Sequence, residues 1–108
     1  MKSRFRYAWL DLGEQQEGST VVVRLRGPAN VLLLDPKNFA AYRSGYSFAY
    51  VGGHYRRSQV QLAVPRDGHW YVVLDLGGRP GSARGAVSVL APGESAPGER
   101  ALAGASSG

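Results

Sequence analysis

Residues 58–76 read Ser58-Gln59-Val60-Gln61-Leu62-Ala63-Val64-Pro65-Arg66-Asp67-Gly68-His69-Trp70-Tyr71-Val72-Val73-Leu74-Asp75-Leu76. Val60, Leu62 and Val64 alternate with Gln59, Gln61 and Ala63. Trp70, Val72, Leu74 and Leu76 alternate with His69, Tyr71, Val73 and Asp75. A two-residue period puts one set on one face of a sheet and its neighbours on the other. If Trp70 faces the core, His69 faces out. Between the runs, Pro65 presets one dihedral, Asp67 can bond its own backbone and Gly68 can take positive φ, so Pro65–Gly68 reads as a tight turn. The pattern predicts a hairpin joining Ser58–Val64 to His69–Leu76.

The same period extends both ways along the chain. Phe5, Tyr7 and Trp9 alternate, as do Val21, Val23 and Leu25, then Tyr46, Phe48 and Tyr50, and finally Val87 and Val89. The last aromatic trio is expected to point inward together. Val31–Leu34 is continuously apolar, as in a strand covered on both faces. Loops are expected at Gly13–Gly18, Gly27-Pro28 and Gly77–Gly81. Asp35 to Gly45 departs from the pattern: Asp35 suits a cap, Pro36 the first helical position and Gly45 the residue past the end. It predicts a two-turn helix with Phe39 and Tyr42 on one face, packed across an open end of the sheets. A short echo joins Trp9-Leu10-Asp11-Leu12-Gly13 to Val73-Leu74-Asp75-Leu76-Gly77, read as two similar strand exits. The fold expected is all-β: a small β-sandwich or jelly-roll-like partly open barrel of six to eight mostly antiparallel strands with one short helix.

At 108 residues the chain is the size of one domain. Residues 1–90 are expected to form it. Residues 91–108, with two Ala-Pro-Gly-Glu-like units and no aromatic or β-branched residue, read as a flexible Pro/Gly/Ala/Ser tail. The absence of cysteine excludes disulfides, thiolate metal sites and a cysteine nucleophile. Apolar runs reach about five residues, far below the roughly 18 of a membrane span. With no N-terminal signal pattern, the expected compartment is the cytoplasm.

Thirteen Lys/Arg stand against eight Asp/Glu, for a net charge of +5, and all the cations but Lys2 and Lys37 are arginine. Guanidinium forks match carboxylates and phosphates, which leans toward acidic partners. A high-GC codon bias gives the same composition. The densest polar cluster is Gly52-Gly53-His54-Tyr55-Arg56-Arg57. There Gly52 and Gly53 would give backbone room, His54 a hydrogen bond, and Arg56 and Arg57 an anion clamp, with Tyr55, Arg43 and His69 beside them. The plain alternative is a turn followed by solvated arginines. Aromatics near Tyr42-Arg43 would suit base stacking, but alternating aromatics are also ordinary core residues.

His54, His69 and the aspartates lack the spacing of a metal site. There is no Gly-x-Ser-x-Gly elbow and no phosphate-binding loop. No catalytic residue, metal or other cofactor is expected. The favoured reading is a binding or sensor/adaptor domain for an anionic small molecule or a protein partner. A nucleic-acid-binding module is the second reading, and a His/Asp hydrolase the least supported. No membrane association is expected, and the protein would be a monomer or homodimer. An edge strand such as Ser58–Val64 offers one route to the dimer.

Asn30-Val31-Leu32-Leu33-Leu34-Asp35, Asn38-Phe39, Tyr42-Arg43, Gly45, Phe48, Tyr50, Gly52-Gly53-His54 and Gly68-His69-Trp70 through Gly77-Gly78 together resemble a bacterial family, the domain of unknown function numbered eighteen eighty-three. The resemblance covers about residues 3–90. It implies a small sandwich-like or barrel-like β domain, found alone or beside TIR-type effector domains, and hence a sensing or interaction role. It carries no catalytic residue.

Overall fold

The computed structural model describes residues 7–56, 59–77 and 85–94. Among these residues seven strands and one helix follow in the order β1 (Tyr7–Gln15), β2 (Thr20–Leu25), β3 (Ala29–Leu34), α1 (Pro36–Ser44), β4 (Val51–Tyr55), β5 (Gln59–Ala63), β6 (Gly68–Asp75) and β7 (Gly85–Leu90). They form a four-stranded sheet ordered β1-β6-β3-β4 and a three-stranded sheet ordered β5-β2-β7. Every pairing is antiparallel. Both sheets keep open edges, so the fold is a sandwich and not a closed barrel. The last described strand ends at Leu90. Residues 95–108 of the expected tail lie outside the described residues.

The period-two residues meet between the sheets. Val21, Val23 and Leu25 of β2 and Val60 and Leu62 of β5 pack against Val31 and Leu33 of β3 and Trp70, Val72 and Leu74 of β6. The continuous run of β3 is covered on both faces, as expected. Its alternate residues Leu32 and Leu34 join Val73 in a second apolar cluster beneath Phe39 and Tyr42. The helix therefore lies on the outer face of the larger sheet, not across an open end. Two leucines on that face had to be covered, and α1 begins immediately after them. Its ends follow the sequence: Asp35 accepts from the Asn38 N–H at 2.8 Å, and left-handed Gly45 closes it.

The turn at Pro65–Gly68 is real, but it does not make a hairpin. β5 pairs with β2 in one sheet, while β6 pairs with β1 and β3 in the other. The turn crosses the sandwich, and its polar groups bond across that crossing. Asp67 accepts from the backbone N–H of Glu17 at 2.8 Å, and the Arg66 carbonyl accepts from the Trp70 indole at 3.1 Å. The alternation places Val60 and Trp70 correctly toward a shared core, which they enter from opposite sheets.

Tyr46, Phe48 and Tyr50 do not form a strand. Residues 46–50 are irregular, Tyr46 is 72% exposed and Tyr50 50% exposed, and Phe48 alone packs under the helix. The strand begins at Val51 instead. Residues expected in a loop after Gly13 also belong to a strand, because β1 continues to Gln15 through a register shift between Asp11 and Gly13.

The short echo is a local two-fold in the structure. β1 and β6 are antiparallel neighbours, and the match reaches back to Tyr7 and Tyr71. Tyr7 pairs with Asp75 and Asp11 with Tyr71. Each Asp accepts the backbone N–H of the glycine two residues on, Gly13 at 2.8 Å and Gly77 at 2.5 Å. Both glycines have positive φ, which explains the repeated Asp-Leu-Gly.

Candidate functional site

The outer face of the four-stranded sheet carries the polar and aromatic residues of each strand's second set. On β6 these are His69, Tyr71, Val73 and Asp75, and on β1 Tyr7, Trp9 and Asp11, by register. At one end, α1 lowers Phe39 and Arg43 toward them. Phe39 stacks on Tyr71 with centroids 4.2 Å apart and planes at 16°. Trp9 leans on Phe39 at 5.2 Å and on Tyr71 at 6.1 Å. The Arg43 guanidinium carbon sits 5.6 Å from the Trp9 centroid and 5.3 Å from that of Phe39. Arg43 is exposed and has no ion pair among the described residues.

His69 borders this patch, tilted against Tyr71 at 5.1 Å. As the alternation required, it faces away from the core. Its Nε2 lies 2.6 Å from Asp11 Oδ1 and its Nδ1 3.8 Å from Glu14 Oε2. The Gly13 N–H holds the Asp11 carboxyl below its ordinary range, and the His69 contact adds to this against slight desolvation. One end of the patch is therefore anionic and the other cationic.

The remaining expected site residues lie elsewhere. The Gly52–Tyr55 stretch is strand β4 itself, not a loop, at the far edge of the sheet. His54 Nδ1 lies 3.0 Å from Asn30 Oδ1. Asn30 is in register with both His54 and Asp75, six residues from His69 along β6, so the two histidines stand about 20 Å apart along the strand direction. Tyr55 packs against the core between the sheets. Arg56 is exposed, and Arg57 lies outside the described residues. Gly53 has open space around it, whereas the room at Gly52 is already taken. A Cβ there would lie 1.9 Å from the Val31 carbonyl oxygen, and its φ is +135°. The structure thus places Arg43 and His69 at the two ends of one aromatic patch, across the sheet from the β4 residues Gly52–Tyr55.

Trp9, Phe39, Tyr71 and Asp11 complete the patch and were not among the expected site residues. Alternation already placed Tyr71 beside His69. Nothing in the sequence put β1 next to β6, so Trp9 carried no signal. Among the described residues, no group of three or more His, Cys, Asp or Glu is arranged to hold a metal ion. No helix among them is long and apolar enough to cross a membrane.

The family model described as domain of unknown function DUF1883 matches residues 5–93, which contain every described strand and helix and the whole patch. The chain belongs to this family. No curated protein and no solved structure matches it.

Proposed function

We propose that this DUF1883 domain is a non-catalytic recognition module that takes an anionic group on the outer face of its larger sheet, with Arg43 as the anion contact. The observation that carries this reading is the Arg43 guanidinium resting over Trp9 and Phe39 with no ion-pair partner among the described residues. A guanidinium laid on aromatic rings keeps N–H donors at its edge for a carboxylate or phosphate. Trp9, 46% exposed, offers a flat apolar surface beside it. Asp11 and Glu14 repel a negative group from the His69 end. A flat anion would therefore place its charge at Arg43 and its ring toward Trp9 and Tyr71. The anion belongs to a small molecule or to a side chain of a protein partner.

Chemical-shift titration with AMP, benzoate and phosphotyrosine tests this. Shifts should concentrate on Trp9, Phe39, Arg43 and Tyr71. Arg43→Ala should remove them while changing stability by less than about 1 kcal/mol, the scale of an exposed cation–π contact. Loss of binding in Arg56→Ala/Arg57→Ala with Arg43→Ala unaffected would move the site to the β4 end. No response to any of the three anions would end the proposal.

A further inference from the structure

Among the described residues, no strand pairs with the outer edge of β1. β1 ends the four-stranded sheet, and its Tyr7-Ala8-Trp9-Leu10 stretch carries neither charge nor proline. Natural edges are usually protected by such residues or by irregular backbone. The edge strand β7 also lacks charge and proline, but among the described strands β1 is the one that exposes large hydrophobic side chains. On β1, large apolar side chains are exposed on both faces at one place: Trp9 at 46% on the outer side and Leu10 at 47% on the inner side. The inner side opens into a cleft of about 680 Å³ whose walls include Ala8, Leu10, Val72 and Val87, with Arg24 and Arg26 also lining it. Leu10 points toward the core and is still half exposed, because nothing described closes the sandwich on that flank.

We propose that two copies of this chain associate through β1, pairing edge to edge about a two-fold axis at Trp9. The occupant is argued from the repeat shared by β1 and β6. β6 already pairs with β1 in antiparallel register, with Tyr7 against Asp75, Ala8 against Leu74, Trp9 against Val73, Leu10 against Val72 and Asp11 against Tyr71. β1 carries the same Tyr-x-x-Leu-Asp pattern as β6. A second β1 laid on the free edge in that register sets Tyr7 opposite the partner's Asp11, Ala8 opposite the partner's Leu10, and Trp9 opposite itself. The pattern is self-complementary, as an isologous two-fold contact requires. Aromatic pairs and a donor facing a carboxylate are favourable cross-strand combinations. The bulge after Asp11 ends the ladder there and leaves the five residues Tyr7–Asp11 to pair. The association covers Leu10 and closes the mouth of the cleft. Trp9 lies in both the anion patch and this contact, and Leu10→Lys, on the opposite face from Arg43, tests the contact without touching the patch.

Sedimentation velocity of the full chain from about 1 μM to about 1 mM spans the affinities of weak to moderate contacts. The expected result is a mass that rises from monomer to dimer. Leu10→Lys should remain monomeric across the range with an unchanged melting curve, and Gln59→Lys on the β5 edge should dimerise like the parent. If Leu10→Lys melts early, Ala8→Lys supplies the same reading at another exposed position. A parent chain that stays monomeric at the highest concentration overturns the proposal. So does a dimer that survives both lysine variants, or one abolished by Gln59→Lys alone.

Discussion

The hydroxyl of Tyr42 donates to the carboxyl group of Asp75, fastening α1 to the outer face of the sheet. Asp75 is 5% exposed and receives one other described bond, from the Gly77 N–H. Burial, then the bond and charge of Asp75, push the Tyr42 phenol well above its ordinary range, so the tyrosine stays a neutral donor. Tyr42→Phe leaves the packing shape and removes the donor. A buried acceptor that loses a partner costs about 1–3 kcal/mol. Urea unfolding should show that loss, while Tyr46→Ser, at an exposed irregular position, should change stability by less than about 0.5 kcal/mol.

Gly52 and Gly53 are neighbours in sequence with opposite tolerances. Gly52→Ala drives a methyl group into the Val31 carbonyl at a φ that L residues avoid. Backbone strain of this kind costs about 1–3 kcal/mol before the clash is counted. Gly53→Ala meets nothing within 4 Å. Removing a glycine from a strand interior is worth about 0.5–1 kcal/mol in its favour. Thermal melts of the two variants should move in opposite directions.

Asp35 works twice, accepting from Asn38 at the start of α1 and pairing with Arg66 at 2.5 Å. Arg66 in turn lies over the Trp70 ring at 5.0 Å. Asp35→Ala removes the cap and should cost about 0.5–2 kcal/mol. Asp35→Asn keeps a capping oxygen and loses only the pair with a well-exposed Arg66, so its cost should stay below about 1 kcal/mol. Comparing the two by chemical unfolding separates cap from ion pair.

Acid should weaken the fold in a defined window. Desolvation pushes the Asp35 carboxyl up, but the backbone and side chain of Asn38, with Arg66 and Lys37, outweigh it and leave it below its ordinary 3.8. Asp11 is lowered too, chiefly by the Gly13 N–H. A carboxyl lowered on folding contributes stability that is fully present above the unfolded value and is lost as pH falls through the folded one. Unfolding free energy attributable to these groups should therefore be level above about pH 5 and decline below about pH 4. Asp35→Asn should flatten that decline; an identical acid limb in the variant would assign it to other groups.

Much of the architecture could be read along the chain, because alternation, caps and turn residues are local. The inward faces of β2, β5 and β6, the doubly covered β3, and α1 between Asp35 and Gly45 all follow from neighbouring residues and their backbone preferences. The aromatic trio Tyr46, Phe48 and Tyr50 misled for the same reason. Alternation describes which side chains would share a face, and Tyr46 and Tyr50 have no sheet neighbour to bury them.

Tertiary pairing decided the rest. Whether Pro65–Gly68 closes a hairpin or crosses between sheets depends on which strands take up the hydrogen bonds of β5 and β6, and those strands are distant in sequence. The same holds for the patch. His69 and Tyr71 shared a face by period alone, but Trp9 and Arg43 reached them only when β1 paired with β6 and α1 settled on the leucines of β3. Local chemistry determines the strands, caps and turns, whereas long-range burial and register determine which residues meet.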